Sequence, residues 1–442
     1  MKSELLPLLR HHDSDAPFIW RQGQAISRAR FLAQARQLAV RLPEAGAAIN
    51  LCEDRYHFLL AFVALALRGQ INLLPPDRAP HTLAMLAEAH PGSYALVDAP
   101  LAGMAFVQLT VSPDTLPSIS DAPSAPLIPA DQTVATVFTS GSTGHSQPNH
   151  KSWAELYQGA MLNLAALGLH EADGTLLATV PAQHMYGLEL SVLLPLLSGL
   201  AVEAGRPFFP ADLQHALSTL PEPRCLISTP LHLRSCLRAE MVWPPLAGIV
   251  SATAPLDPDL ATQLEQWFGC PLHEIYGSSE TGAIATRRTA EGQAWQLHAG
   301  LVLQADGDAA WRVSGGHLAA PVRLNDRLAQ TPDGCFRLLG RERDLIKIAG
   351  KRASLADLNR QLLAVPGVVD GSFVPPEEAE PSRLQAVVVA PGMTARAVLD
   401  ALQQRIDAAF LPRPLHLVEK LPRNPTGKLH REVLCGFIAS LK

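Results

Sequence analysis

The chain has 442 residues, of which 48% are hydrophobic and 17% are charged, and its formal net charge is −5. This balance excludes an intrinsically disordered chain and allows a sizeable core divided between two or three lobes. It also disfavours a nucleic-acid-binding protein, which needs clustered basic surface.

Helical and strand-like segments alternate along the first part of the chain. Helical periodicity and short apolar runs favour an α/β fold of layered sheets and helices. A stretch rich in proline, serine, alanine and aspartate is predicted to be a loop. The predicted helices are residues 31–42 and 56–67, the strands are 71–74, 94–97 and 134–138, and the loop is 113–131.

A smaller unit is predicted near the C-terminus. Apolar stretches at residues 367–370 and 384–389 precede a helical pattern at 394–409 and a lysine-bearing tail. This composition predicts a small α+β domain. We therefore place a large, multi-lobed N-terminal domain at residues 1–340 and a small C-terminal domain at 341–442.

Neither a disulfide framework nor a membrane span is predicted. The six cysteines are scattered and form no Cys-x-x-Cys pair, so reduced thiols without zinc are expected. The longest strongly apolar stretch, residues 58–67, is too short to cross a bilayer, and the first residues lack the pattern of a signal peptide. We expect a cytoplasmic protein.

A phosphate-binding loop is predicted directly after the strand at residues 134–138. Hydroxyl groups and glycines there leave backbone amides free to face phosphate oxygens. No Gly-Lys-Ser or Gly-Lys-Thr follows, and Lys151 comes late, so a P-loop NTPase is disfavoured and a flexible turn is the alternative. The candidate ligands are Thr139, Ser140, Gly141, Ser142, Thr143 and Gly144.

A metal ligand is predicted at Glu280, within the run His-Glu-Ile-Tyr-Gly-Ser-Ser-Glu-Thr-Gly at residues 273–282. Its carboxylate suits Mg²⁺, a hard cation that bridges protein and phosphate oxygens. A solvated turn glutamate is one alternative. A hydrolase nucleophile elbow at Ser278 or Ser279 is another, although Thr281 replaces the last glycine of that signature.

A cation is predicted at Lys428, which ends the run Pro-Arg-Asn-Pro-Thr-Gly-Lys. Proline and glycine there fix a tight turn that directs the ammonium to one place, the alternative being a solvated tail lysine. A carboxylate needs a better leaving group before a thiol can attack it, and ATP can supply AMP. That reaction joins two anions, so phosphate donors, a metal and a cation are required. The three motifs together indicate carboxylate adenylation.

These motifs resemble those of the adenylate-forming superfamily, which contains acyl- and aryl-CoA synthetases, peptide-synthetase adenylation domains and luciferases. The resemblance covers most of the chain. It implies ATP and Mg²⁺ as cofactors, with Thr143 and its loop on the phosphates, Tyr276 on adenine and Glu280 on the metal. It also implies a mobile C-terminal lid that brings Lys428 to the acid and then rotates about Arg343.

The resemblance extends to further site residues. It implies that His184 borders the acid and, with Glu280 and Lys428, belongs to the catalytic group, although a lone histidine is more often a core group. The acid pocket is predicted to contain His184, Tyr186, Gly187, Ala254, Gly277 and Ile284. The remaining predicted nucleotide contacts are Ser251, Ala252, Thr253, Glu274, Gly277, Ser278, Asp326 and Arg341.

The short segment ahead of Thr139 and the late Pro148 and Lys151 depart from ordinary CoA synthetases. In these features the chain is similar to stand-alone ligases of bacterial aryl-polyene and xanthomonadin-type pigment clusters, which load aromatic hydroxy acids onto acyl carrier protein. A hydroxybenzoate-like acid and a phosphopantetheine or CoA thiol are therefore implied. The alternatives are a medium-chain or 3-hydroxyacyl-CoA synthetase, a non-catalytic nucleotide- or acid-binding protein, and a serine hydrolase.

Overall fold

The computed structural model describes residues 4–10, 14–104, 106–113, 125–139, 147–169, 173–307, 310–341, 345–348, 351–374, 384–424 and 427–441. The chain divides into two compact units. The first contains Met1–Val302 and Ser314–Val322, and the second contains Leu303–Val313 and Arg323–Lys442. The predicted domain boundary between residues 340 and 341 describes where a mobile lid begins, and it stays a prediction.

Strands and helices alternate through the first 300 residues. The strands are β1 (Leu5–Pro7), β2 (Pro17–Arg21), β3 (Gln24–Ser27), β4 (Ala47–Asn50), β5 (Ile71–Leu74), β6 (Tyr94–Val97), β7 (Gln108–Thr110), β8 (Leu127–Pro129), β9 (Thr133–Thr139), β10 (Gln147–Ser152), β11 (Thr175–Ala178), β12 (Ala201–Glu203), β13 (Arg224–Ser228), β14 (Gly248–Ser251), β15 (Leu272–Ser278), β16 (Gly282–Arg288) and β17 (Gln296–Leu297). The helices are α1 (Arg28–Arg41), α2 (Arg55–Leu67), α3 (Pro80–Ala89), α4 (Trp153–Ala166), α5 (Met185–Leu188), α6 (Leu194–Leu197), α7 (Pro210–Thr219), α8 (Pro230–Arg238) and α9 (Pro258–Phe268). A π-helical segment, Glu189–Leu193, joins α5 to α6.

A six-stranded sheet has the order β10-β9-β5-β4-β6-β7. Its strands are parallel except for β10, which pairs antiparallel with β9. The predicted strands 71–74 and 94–97 coincide with β5 and β6, and 134–138 lies within β9. Apolar runs of this length are typical of parallel strands that are covered on both faces.

The two predicted helices are also present. Helix α1 begins earlier than the predicted residue 31 because the Ser27 side chain caps it by accepting the N–H of Arg30. The Asp54 carboxylate caps α2, which is buried over almost its whole length. The predicted loop 113–131 is wrong at its end, where β8 pairs antiparallel with β1. Residues 114–124 of that loop lie outside the described residues.

A nine-stranded sheet, ordered β17-β16-β15-β14-β13-β11-β12-β2-β3, positions most of the candidate site. Its central strands from β15 to β2 run parallel, so their carboxyl ends meet at one edge. Ligands of open α/β sheets bind outside such carboxyl ends. Leucines of α7, α8 and α9 pack with β13 and β14 in one apolar cluster, which holds this edge rigid from one side.

The remaining strands are short. They are β18 (Leu301–Asp306), β19 (Ala310–Gly315) and β20 (Val322–Leu324), then β21 (Asp326–Gln330), β22 (Phe336–Arg341), β23 (Leu345–Ile348), β24 (Lys351–Ser354), β25 (Asp370–Val374), β26 (Gln385–Val389) and β27 (Leu415–Leu417). Strands β18, β19 and β20 form one sheet, β21–β22 and β23–β24 are antiparallel pairs, and β25-β26-β27 form a three-stranded sheet. The last helices are α10 (Leu355–Leu363), α11 (Ala395–Gln403) and α12 (Arg431–Ala439).

The predicted α+β character of the C-terminal part is confirmed, with one correction. The helix predicted at residues 394–409 ends at Gln403. Asp407 then takes an extended backbone and caps a separate 3₁₀ turn, Ala408–Phe410, by accepting the N–H of Ala409. The short polar side chain therefore competes with the helix for the backbone donors.

The cysteines and the apolar helices determine whether the chain has disulfide bonds and membrane spans. All six cysteines are free thiols; burial raises the pKa of Cys225 to about 12 and keeps that thiol protonated at neutral pH. Across the described ranges, no helix is both long and apolar enough to cross a membrane.

Candidate active site

The turn between β15 and β16 exposes Glu280 at the carboxyl edge of the nine-stranded sheet. Two reciprocal bonds close it, because the Ser278 N–H donates to Thr281 Oγ1 at 3.0 Å and the Thr281 N–H donates to Ser278 Oγ at 3.2 Å. Gly282 completes the turn with φ of +65°. The Ser278 hydroxyl is therefore a structural part of the turn that presents the Glu280 carboxylate.

Close backbone approach requires glycine at Gly277 and Gly187. A Cβ at Gly277 would lie 2.1 Å from the carbonyl oxygen of Gly282, where the pairing of β15 with β16 shifts register. A Cβ at Gly187 would lie 1.9 Å from the carbonyl oxygen of Pro181. Both glycines permit tight packing, and their predicted ligand contacts stay predictions.

The predicted adenine side lies at the adjacent ends of β14 and β15. Ser251 is the register partner of Glu274, and both are buried. Thr253 has φ of +79°, which is a strained conformation for a β-branched residue. Such strain often marks functional loops, and it is stored here just after Ala252.

Glu274 supports this loop from inside. Its Oε1 accepts the N–H of Leu256 at 3.0 Å, while its Oε2 accepts bonds from Arg287 Nε and Thr289 Oγ1, both at 2.8 Å. Burial raises the pKa of Glu274, and the guanidinium of Arg287 opposes that shift. Nucleotide contact by Glu274 stays a prediction, and its observed bonds hold the loop that contains Ala254.

An aromatic neighbour that sequence reasoning missed accompanies Tyr276. The Tyr276 and Trp295 rings have centroids 5.6 Å apart, and the Arg287 guanidinium lies 4.3 Å from the Trp295 centroid. The two rings meet in a tilted contact, which restricts the position of the Tyr276 ring. Trp295 is the only Phe, Tyr or Trp residue between Tyr276 and Trp311, and this was the available sequence signal.

The predicted acid side is built from α5 and the strand ends. His184 is the N-terminal cap residue of α5, and the Tyr186 hydroxyl lies 3.0 Å and 2.9 Å from the carbonyl oxygens of Ser228 and Val250. Burial raises the pKa of Tyr186 well above its usual value, so the hydroxyl stays protonated and donates to backbone.

The other predicted acid contacts differ in exposure. Ala254 is exposed, whereas Gly187 and Ile284 are buried. The structure thus brings Tyr186 close to the ends of β13 and β14. The residue is half-buried and its hydroxyl is bonded to backbone, while its predicted place in an acid pocket stays a prediction.

Three buried titratable residues surround the Glu280 turn, and the sequence motifs did not identify their role. Lys151 Nζ donates to the carbonyl oxygen of Glu280 at 2.7 Å, and His317 Nε2 donates to that of Thr281 at 2.6 Å. The Ala283 N–H donates to Glu189 Oε1 at 3.0 Å. Lys151 is the only lysine between positions 2 and 347, and Glu189 is the only charged residue in an apolar run, so both had a sequence signal.

Burial shifts the pKa values of this cluster towards neutral forms. It raises the pKa of Glu189 to about 7, against the N–H of Ala283, the Lys151 charge and the Asn163 amide. It lowers the pKa of Lys151, against the carboxylates of Glu155, Glu189 and Glu280. The His317 pKa is also lowered by burial.

The predicted phosphate loop connects β9 to β10. Thr139 pairs with Gln147 at the base of this hairpin, so the two ends of the loop are fixed. The predicted phosphate ligands Ser140, Gly141, Ser142, Thr143 and Gly144 are not among the described residues. The predicted hinge residue Arg343 is not among them either.

The second unit contains the remaining predicted residues. Asp326 and Arg341 occupy paired positions of β21 and β22. Lys428 is exposed, in a turn where its N–H donates to Asn424 Oδ1 at 2.8 Å. The Arg423 guanidinium, which also donates to the carbonyl of Gly427 at 2.7 Å, forms two bonds with the Asp370 carboxylate at 2.8 Å and 2.7 Å.

The chain is similar in sequence to proteins of known family. A family model described as AMP-binding enzyme matches residues 9–307. A 4-coumarate–CoA ligase of Rhodobacter capsulatus is 34% identical over 310 residues, which are 67% of this chain and 75% of the relative.

Two solved structures share the fold. ATP-bound MatB from Rhodopseudomonas palustris has a TM-score of 0.80 at 19% identity and covers 98% of this chain and 97% of its own. The O-succinylbenzoate coenzyme A synthetase MenE from Bacillus subtilis, in complex with AMP, has a TM-score of 0.79 at 20% identity, with 95% of each chain covered. At these identities the structural likeness extends to the fold alone.

Proposed function

The chain belongs to the AMP-binding enzyme family and is an AMP-forming acid–thiol ligase, and from this premise we propose a substrate and an acceptor. The acid is a hydroxybenzoate-like aromatic acid, activated by ATP as its acyl adenylate. The acceptor is a phosphopantetheine thiol of an acyl carrier protein or the thiol of CoA. We expect the reaction to take place in the cytoplasm.

The observation that carries the ATP-dependent activation in this proposal is the fixed Glu280 turn at the carboxyl end of β15, next to the strained loop after β14. Tyr276 lies on the same strand, and its ring is held by Trp295. This arrangement supports a nucleotide whose base lies at Tyr276 and whose phosphates extend towards Glu280. The hairpin between β9 and β10 supplies the predicted phosphate loop.

The single exposed carboxylate of Glu280 fits the coordination of Mg²⁺. Among the described residues, no group of three or more His, Cys, Asp or Glu side chains is arranged to hold a metal alone. Mg²⁺ commonly takes one or two protein carboxylates and completes its shell with water and phosphate oxygens. Bound beside the exposed Glu280 carboxylate, it would withdraw charge from the phosphates.

The chemistry has two balanced steps. In the first, an oxygen of the carboxylate attacks the α-phosphorus of ATP, and pyrophosphate leaves. In the second, the thiol loses its proton, its sulfur attacks the acyl carbon, and AMP leaves with the shared oxygen. We assign Lys428 to the first step, where an ammonium offsets the meeting of two anions, and His184 to the border of the acid.

An aromatic acid is supported by the half-buried Tyr186 ring beside His184, since aromatic rings favour offset or edge contacts with one another. The R. capsulatus relative is named for 4-coumarate and CoA, which supports an aromatic acid and a CoA acceptor. The carrier-protein acceptor rests on the sequence resemblance to the pigment-cluster ligases. A medium-chain or 3-hydroxyacyl acid with CoA is the nearest alternative.

The test is acid-dependent exchange of pyrophosphate into ATP with Mg²⁺ and no thiol. Hydroxybenzoates, cinnamates and short to medium fatty acids are compared at equal concentrations. We expect the hydroxybenzoates to give the highest kcat/KM, whereas a fatty-acid preference would reject the proposed acid. Mass spectrometry with CoA and with phosphopantetheinylated carrier protein then identifies the acceptor by its thioester.

A further inference from the structure

We propose that Lys151, Glu189 and His317 are positioning residues that aim the Glu280 carboxylate at its metal. This inference rests on the proposed function, because it gives Glu280 a metal to bind. The three side chains bond three backbone groups between residues 280 and 283, and each comes from a different part of the first unit.

Lys151 fixes the peptide plane that follows Glu280. Its side chain belongs to β10, only 5% of the residue is exposed, and its ammonium donates to the Glu280 carbonyl oxygen. Removing an ammonium from water is costly unless it gains bonds and opposite charges, here from Glu155, Glu189 and Glu280. Lys151, whose burial costs desolvation free energy, therefore holds the backbone of Glu280, the residue that is assigned to the metal.

Glu189 holds the other end of the turn. It begins the π-helical segment, and its Oε1 accepts the Ala283 N–H. A Cβ on Gly282 would lie 2.7 Å from the same oxygen, so the carboxyl and the turn are in direct contact. Single π-turns within helices occur frequently at functional sites, where they redirect side chains.

His317 completes the clamp. A carbonyl oxygen can only accept, so the bond to Thr281 places the proton on Nε2 of His317. The ring lies next to Gly159 of α4, whose Cβ position would be 3.5 Å from His317 Cδ2 and 3.8 Å from Glu189 Oε1. Glycine at this helical position lets the histidine and the glutamate approach the turn together.

The clamp connects the two large sheets. Lys151 belongs to the six-stranded sheet through β10, and the Glu280 turn belongs to the nine-stranded sheet. Strand β10 also forms one arm of the hairpin that contains the predicted phosphate loop. The buried bond from Lys151 to the Glu280 carbonyl therefore fixes the distance between the Glu280 backbone and β10, the strand that follows the predicted phosphate loop. A metal ion that binds both Glu280 and the phosphates requires such a fixed distance.

A double-mutant cycle tests the role of Lys151. The unmodified chain, Lys151→Met, Glu280→Gln and the double variant are compared in the exchange assay over a range of Mg²⁺ concentrations, at saturating ATP and acid. We expect Lys151→Met to raise the Mg²⁺ concentration for half-maximal exchange about tenfold or more. In the Glu280→Gln background the same change should have little further effect.

Equal factors in both backgrounds would overturn the proposal, because independent residues multiply their effects. A crystal structure of Lys151→Met with residues 278–282 unmoved would overturn it without any activity measurement. Glu203→Gln is the matched control: this half-buried carboxyl accepts the Gly205 N–H at 3.1 Å and has a pKa raised by burial. Its Mg²⁺ dependence should match that of the unmodified chain.

If Lys151→Met does not fold, His317 supplies the second test. His317→Gln keeps an N–H donor for the Thr281 carbonyl and should retain the Mg²⁺ dependence, whereas His317→Leu should weaken it. Equal dependence in the two variants would contradict the clamp. Silence of the unmodified chain with every acid would reject the proposed function instead, and the crystal structure would still decide the position of the turn.

Discussion

Asp326 and Arg341 are register partners across the antiparallel strands β21 and β22. The sequence motifs named both as nucleotide contacts, but their spacing in the chain did not predict that they are adjacent. Pairing places the two backbones at the same end of one two-stranded sheet, and contact of either residue with a ribose stays a prediction.

Asp326→Ala should raise the KM for ATP in the exchange assay by about tenfold or more, because a ribose diol would lose a charged acceptor. The KM for the acid should change little. Asp333→Ala, in the exposed turn between the same two strands, is the control. An unchanged KM for ATP in Asp326→Ala would remove this residue from the nucleotide site.

Lys428→Ala should reduce adenylate formation strongly and leave thioester formation from a supplied acyl adenylate much less affected. The physical reason is that the ammonium offsets negative charge only while two anions meet. Rapid-quench measurement of each half-reaction separates the two effects. Lys420→Ala, at another exposed lysine of the same unit, should leave both rates unchanged. Equal losses in both steps would contradict the assignment.

Gly277→Ala should unfold or distort the Glu280 turn, because the new Cβ would lie 2.1 Å from a backbone oxygen. We expect a loss of about 1–3 kcal/mol in the free energy of unfolding together with weaker exchange. Gly292→Ala has open space around its Cβ and should be neutral. Denaturant unfolding of the two variants gives the comparison, and equal stability would show that the turn can relax.

Glu189→Gln should change how stability depends on pH. Burial raises the folded-state pKa of Glu189 from 4.5 to about 7. Its contribution is therefore fully present below pH 4.5 and is lost as the pH rises through 7, by about 3 kcal/mol at most.

Urea unfolding of both proteins from pH 4.5 to 8 isolates this contribution. The stability of Glu189→Gln relative to the unmodified chain should rise over that interval. Ionisable groups that do not interact with Glu189 are common to both proteins and cancel in the difference, whereas Lys151 is coupled to Glu189 and contributes to that difference. A difference that is constant with pH would show that Glu189 is ionised throughout.

Local sequence pattern was sufficient to predict several strands of the sheets. Strands β5 and β6 were found because short apolar runs between helices are sufficient evidence for buried parallel strands. The end of helix α11 was missed because Asp407 offers a local cap that periodicity does not register. Secondary-structure propensity and hydrophobic periodicity depend only on residues that are close in the chain, so they detect strands and helices but not a cap formed by a single side chain.

The site shows the same limit more sharply. Glu280 and Tyr276 belong to one contiguous motif and are predicted together as site residues. Lys151, Glu189 and His317 act on that motif from distant positions, and only folding brings them to it. Glu274 lies within the motif, yet its bonds to Leu256 and Thr289 could not be inferred from its neighbours.

The bidentate contact between Arg423 and Asp370 has a consequence for how the tail lysine works. It ties the turn before Lys428 to the first residue of β25, so the lysine backbone follows the three-stranded sheet as one body. In the predicted lid movement, the ammonium would therefore travel together with the three-stranded sheet and not at the end of a flexible tail.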